Sequence, residues 1–185
     1  LTFLTGCATD TEMNRARSEI GEWFNFIMPD EAELDMASIL SYVDDDIQEY
    51  GVKGFVLDPF TEVEMIRQNG MRGDEAIEKA LRRLQQFTRA REIHTWVLAH
   101  PTKGGDTYRK EEDGTMRPTL YSAAGAAHFR NKADFGMVIH RHDSNLVEVF
   151  IDKVRNSDSC GGQGKVQFKY HIDRREYEEL KPDKW

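Results

Sequence analysis

Cysteine is scarce: Cys7 and Cys160 are the only two in 185 residues, and their surroundings are unlike. That argues against a disulfide framework or a cysteine-based zinc site and points to a reducing compartment. Long apolar runs are missing as well. Charge breaks even the best strand candidates, so nothing approaches the roughly 20 residues of a membrane-spanning helix. The chain opens on Leu1 with no basic-then-apolar leader, so the expectation is a fragment or trimmed chain not marked for secretion. Internal repeats and low-complexity tracts are lacking. Positive charge is in deficit, with 25 Lys and Arg against 33 Asp and Glu. The resulting net charge of −8 argues against a broad phosphate-binding surface and confines any nucleic-acid contact to local loops.

What is present is an apolar pattern that alternates between helical and strand periods. Thr9-Asp10-Thr11-Glu12 reads as a capping box, followed by Met13, Ala16, Ile20 and Trp23 at helical spacing. Phe24 to Met28, closed by Pro29, reads as a strand. A helix carries Met36, Leu40, Val43, Ile47 and Tyr50 on one stripe and stops at Gly51. Gly54 to Asp58 is an apolar strand ending in a carboxylate. A helix bearing Ile77, Ala80, Leu81, Leu84 and Phe87 follows, then a strand from Thr95 to Ala99 that runs into His100-Pro101. Residues 101 to 121 read as a long charged loop. A short helix near Ala123 to Lys132 leads to three strands: Phe135–Arg141, Leu146–Val154 and Lys165–His171. The pattern predicts one α/β domain, a mostly parallel sheet flanked by helices with antiparallel strands at one edge. In such sheets ligands bind at the carboxyl ends of the strands, which singles out Asp58 and His100.

Each candidate has a bland alternative. Asp58 can hold Mg²⁺ through water beside nucleotide phosphates, or cap the turn before Pro59. His100 can sense a terminal phosphate, or bond to solvent. Lys153 and Arg155 can reach an anion across an interface, or end a solvated strand. Gly161-Gly162-Gln163-Gly164-Lys165 imitates a phosphate loop, but Ser159 stands where its first glycine belongs and Val166 replaces Ser or Thr. It also precedes a strand, so it reads as a hairpin turn. His140-Arg141-His142 lacks the Cys or carboxylate neighbours of a metal site.

Order carries more information than any single signal. The series Gly54-Phe-Val-Leu-Asp58-Pro-Phe, then Trp96-Val-Leu-Ala-His100-Pro-Thr-Lys103, resembles the DnaB/Twinkle family of hexameric replicative helicases. Ser122-Ala-Ala-Gly125, Asn131-Lys-Ala-Asp134, Val138-Ile-His-Arg141, Lys153-Val-Arg155-Asn156 and Val166-Gln-Phe-Lys-Tyr170 continue it over about residues 52 to 172. His100 matches the phage and mitochondrial primase–helicases, where bacterial DnaB proteins carry Gln.

The resemblance implies a RecA-like P-loop NTPase core, present in part. Residues 1 to 185 would be the C-terminal part of a helicase ATPase domain, with the Walker A loop and catalytic glutamate upstream. Asp58 would be the Walker B aspartate that positions Mg²⁺ through water, and His100 the γ-phosphate sensor. Arg155, with Lys153 as companion, would be an arginine finger reaching a neighbouring subunit's ATP. Arg141 and Tyr170 would sandwich the nucleotide base. Lys103, Arg109, Lys110 and Arg117 would hold single-stranded DNA in the channel of a ring-shaped homo-oligomer, a hexamer, with primase as a further partner. The cytoplasm of a bacterial or phage-infected cell is expected in preference to a mitochondrial matrix, and no membrane. The alternatives are a RecA-like recombinase or regulatory ATPase, and a non-catalytic interaction module on the same fold.

Overall fold

A computed structural model describes residues 9–28, 35–63, 73–102, 107–111, 114–123, 126–142 and 144–181. Thr9 and Glu12 close the expected capping box over α1 (Asp10–Trp23): the Thr9 amide donates to Glu12 Oε2 at 2.8 Å, and Thr9 Oγ1 accepts from the Glu12 amide. The strand expected at 24–28 does not form. Phe24 is extended, but a strand exists only by pairing, and this segment has no ladder, leaving Phe24, Phe26 and Met28 exposed.

α2 (Met36–Tyr50) starts where Asp35 accepts from the Ala37 and Ser38 amides and ends at Gly51, whose φ of +67° suits a residue without Cβ. Its buried face is Met36, Ile39, Leu40 and Val43, whereas Tyr50 lies outside. β1 (Gly54–Leu57) pairs in parallel with β2 (His94–Val97), and α3 (Gly73–Arg91) precedes β2. One face of this pair is sealed. Phe55, Leu57 and Val97 meet Met36, Leu40, Leu81 and Leu84 in a core that extends to Phe60 and Phe129, whose rings meet edge-on at 4.9 Å. Val56 and Trp96 on the other face remain exposed. Among the described residues no helix is long and apolar enough to cross a membrane.

The second sheet is an antiparallel meander of β5 (Phe135–Arg141), β6 (Leu146–Val154), β7 (Gly164–His171) and β8 (Glu176–Leu180). A two-stranded hairpin, β3 (Arg109–Lys110) with β4 (Met116–Arg117), rises from the long loop. The helix before β5 is α4 (Ala126–Lys132), and a one-turn α5 (Ser157–Cys160) lies between β6 and β7. Among the described residues parallel pairing is thus confined to β1 and β2, and the antiparallel part exceeds expectation by β8 and the β3–β4 hairpin.

β6 carries a carboxylate, Glu148, between Val147 and Val149. Glu148 is buried, and its side chain accepts from Lys165 (2.8 Å) and Gln167 (2.9 Å) and meets His142 Nε2 at 2.8 Å. Burial alone would raise its pKa. The hydrogen bonds from Lys165, His142 and Gln167, with the charge of Lys165, prevail and bring it from 4.5 down to about 2. A depressed carboxylate stabilises the fold above its unfolded pKa, and that contribution is lost as pH falls through the folded value. The difference corresponds to about 3 kcal/mol. Urea melts at pH 7 and pH 2.5 should show most of that loss in the parent and little of it in Glu148→Gln. An equal acid sensitivity in both would place the acid-labile groups elsewhere.

Candidate nucleotide and nucleic-acid sites

Parallel pairing puts Asp58 and His100 at the same end of adjacent strands. Past the paired residues Leu57 and Val97, the Leu98 amide donates to the Leu57 carbonyl at 3.0 Å, and the Phe60 amide donates to the Leu98 carbonyl at 2.9 Å. These bonds clasp the two strand exits, leaving both side chains exposed at the carboxyl edge. Among the described residues no group of three or more His, Cys, Asp or Glu gathers to hold a metal. A lone exposed carboxylate does fit Mg²⁺, which keeps most of its waters and takes one or two carboxylates plus phosphate oxygens.

Lys153 and Arg155 come together on the other sheet, against the C-terminal end of α4. Lys153 Nζ donates to the Arg130 carbonyl, and Arg155 donates to the carbonyl of Asn131 at 3.0 Å, with longer contacts to Lys132 and Ala133. Arg155 also pairs with Asp134 at 2.6 Å. Cations at a helix C-terminus satisfy its orphan carbonyls and its dipole. Burial, then the nearby Arg155 and Arg130, lowers the Lys153 pKa. Arg155 remains 37% exposed along its side chain, so it is tethered yet accessible.

Arg141 and Tyr170 are neighbours, as the base-sandwich expectation requires, but they stack on one another. The guanidinium carbon lies 4.9 Å from the ring centroid. A base between two planes needs about 7 Å, the sum of two van der Waals contacts. The two side chains leave no room for a base between them.

The loop cations divide. Lys103 lies outside the described residues. Arg109 and Lys110 project from the β3–β4 hairpin and are exposed. Arg117 departs from expectation: it is buried, with 4% of its surface exposed. Its Nε donates to Glu111 at 2.5 Å, Nη1 to the Pro118 carbonyl and to Asp152 at 3.2 Å each, and the group lies 4.0 Å over the Phe150 ring. Burial opposes its charge, but Asp152 and Glu111 more than offset this and raise its pKa. Its donors are committed inside the protein, so it does not serve as a phosphate contact. The signal for this lock was legible in part: Glu148 and Asp152 interrupt an apolar strand, and buried carboxylates need cations. Which cation it would be, 35 residues away in sequence, was not.

The arrangement is an α/β sheet with polar groups at the carboxyl ends of its parallel strands and cations on a separate antiparallel edge. Two likenesses give it a class. Over 113 residues, 58% of this chain, it is 34% identical to the Twinkle homolog protein, chloroplastic/mitochondrial, of Arabidopsis thaliana, and it spans 15% of that protein's length. No family model matches. In fold it superimposes, with a TM-score of 0.72 and 19% identity, on a DnaB-like replicative helicase whose interactions with primase were described. That match covers 96% of this chain and 42% of the helicase chain. The chain thus shares the α/β fold of this DnaB-like replicative helicase chain, and over part of its length it is similar in sequence to the Twinkle homolog protein.

Proposed function

We propose that this chain is the C-terminal part of the ATPase domain of a ring-forming, hexameric helicase that moves along single-stranded DNA and hydrolyses ATP at subunit interfaces. The observation that carries the reading is the pairing of β1 with β2, with Asp58 and His100 exposed at one carboxyl edge. That is where α/β sheets bind nucleotides. Asp58 is suited to hold the water shell of Mg²⁺, which when bound neutralises charge on the phosphates. His100 lies one residue before Pro101, which bridges to Ala123 across the foot of the loop, so a hydrogen bond from His100 to a terminal phosphate is passed directly to the loop. Arg155 supplies charge to a neighbour's ATP, with Lys153 beside it, and Arg141 and Tyr170 hold the base once parted. Primase as a partner, and the cytoplasm of a bacterial or phage-infected cell, belong to the same proposal.

A phosphate-cradling loop is absent from the 185-residue sequence. The chain alone is therefore expected to bind ATP only weakly, and calorimetry showing micromolar affinity with Mg²⁺-dependent turnover would contradict the assignment of its parts.

The loop reading has a salt signature. Arg109→Ala with Lys110→Ala in the full-length protein should weaken single-stranded DNA binding equally for all base sequences. Each lost phosphate contact should flatten the slope of log K against log salt by about 0.7. An unchanged affinity and slope would take the hairpin out of the DNA path.

A further inference from the structure

We propose that Arg117 is a positioning residue that couples the nucleic-acid loop to the strand carrying Lys153 and Arg155, so that DNA held by one subunit's loop sets that subunit's finger. The inference rests on the reading of the loop and of Arg155 given above, and it adds the physical link between them.

The link begins on the hairpin. Glu111 follows Lys110 directly, and its carboxylate lies 3.9 Å from Arg109 Nε and 2.5 Å from Arg117 Nε. A phosphate that draws Arg109 and Lys110 outward therefore changes the charge and position facing Arg117. Arg117 cannot absorb this by swinging to solvent. It is packed over Phe150 and grips both oxygens of Asp152, at 3.2 Å from Nη1 and 3.5 Å from Nη2. A buried guanidinium bound on one side to the loop and on the other to a strand makes a stiff strut, because releasing either end removes a charged partner from a group held out of water.

The far end of the strut sits at an irregularity in β6. Gly136 pairs with Lys153 and Met137 with Ile151, so Asp152 is the extra residue of a β-bulge. Bulges bend a strand and re-aim side chains, and they concentrate beside active sites. Here the bulge brings two successive side chains to one side of the sheet. Lys153 lies opposite Gly136, on the face shared by Val138 and Phe150, and Asp152 meets Arg117 above Phe150 on that same face. Regular alternation would have sent them to opposite faces. The strut therefore ends at the neighbour of Lys153 and three residues before Arg155.

A second contact keeps loop and strand in register. Gly136 is closely covered: a Cβ there would lie 2.5 Å from Leu120 Cδ1 and 3.2 Å from Lys153 Cβ. Leu120, at the loop's downstream foot, thus packs where Lys153 leaves the sheet. The upstream foot is tied in by Thr102, whose amide and hydroxyl both donate to the Ser122 carbonyl, at 2.7 and 2.8 Å. The loop is anchored at both feet and cross-linked to the finger strand through Arg117.

The test uses the full-length protein with Arg117→Lys and Asp152→Asn, each checked for folding by thermal melting. Affinity for an oligothymidylate, ATP turnover without DNA and ATP turnover with saturating DNA are measured. DNA affinity and unstimulated turnover should stay near the parent's, while stimulation by DNA falls about tenfold, within the usual range of coupling between sites. Combining Arg117→Lys with Asp152→Glu, which restores the reach of the pair, should recover part of the stimulation. Glu111→Gln, at the half-exposed end of the network, replaces any variant that does not fold. Full stimulation in folded variants overturns the inference, as does a proportional fall in unstimulated and stimulated turnover. Arg155→Ala is run alongside. If it leaves turnover intact, the finger reading fails and this inference with it; if it abolishes turnover while Arg117→Lys keeps its stimulation, only the coupling is wrong.

Discussion

Arg155→Ala in the full-length protein should lower ATP turnover by roughly 10³-fold, the scale at which an arginine finger stabilises charge on a transferring phosphoryl group. Stability should change far less. The side chain is more than one-third exposed, and its ion pair with Asp134 is open to solvent on both partners, with 37% and 55% of their side chains accessible. Exposed pairs contribute about 1 kcal/mol or less, and capping the last carbonyls of α4 adds a similar amount at most. Turnover and melting temperature are thus expected to separate cleanly. Steady-state hydrolysis with saturating DNA, set beside a thermal melt, makes the comparison. A variant that turns over near the parent's rate would leave Arg155 as a helix-capping cation and remove the interface from the mechanism. The resting geometry adds a second expectation. Arg155 is held by the carbonyls of Asn131, Lys132 and Ala133 as well as by Asp134, so it must leave these to engage a phosphate. Asp134→Asn should weaken that tether and shift turnover by a few-fold, far less than removing the finger.

The elements that local chemistry dictates were legible in the sequence. Thr9 with Glu12 and Gly51 at the end of α2 mark helix ends through interactions a few residues apart, and they stand where expected. β1 and β2 were legible as apolar runs, and their ends as candidate sites, because a parallel strand keeps one direction from core to edge. Four features were not legible, each for a physical reason. Residues 24–28 have strand composition, but composition does not supply a pairing partner. β8, Glu176-Tyr-Glu-Glu-Leu180, is exposed along its whole length and looks like a solvated turn; only its ladder to β7 makes it a strand. Arg117 in a charged loop looks like a phosphate contact, because the neighbours that bury it, Phe150 and Asp152, belong to another sheet. The bulge at Asp152 is invisible for the same reason, being a property of the β5–β6 register. What sequence order did supply was the resemblance to the DnaB/Twinkle family, and the likeness to the Twinkle homolog over 113 residues agrees with that resemblance.

Asp58→Ala should reduce Mg²⁺-dependent turnover by about 10²-fold or more in the full-length protein, since a metal held at the phosphates contributes several kcal/mol of charge stabilisation. Folding should be little affected. Asp58 is exposed and lies beyond the last paired residue of β1, while the clasp between the strands is made by the backbone of Leu57, Leu98 and Phe60. Raising Mg²⁺ should restore part of the rate in Asp58→Asn, because the amide still offers an oxygen to a metal-bound water, and should restore less in Asp58→Ala. Mixing gives the sharpest outcome. If Asp58 acts on its own subunit's nucleotide and Arg155 on its neighbour's, a ring of Asp58→Ala and Arg155→Ala subunits contains some interfaces with both groups intact. Such rings should hydrolyse ATP faster than either variant alone when single-interface turnover is measured under non-processive conditions. Recovery requires the two residues to come from different subunits at one site. If both served the same subunit's nucleotide, every interface would lack one of them and no mixture would recover. A flat response across all mixing ratios, in rings confirmed to contain both variants, would assign Asp58 and Arg155 to the same subunit's site and overturn the interface mechanism.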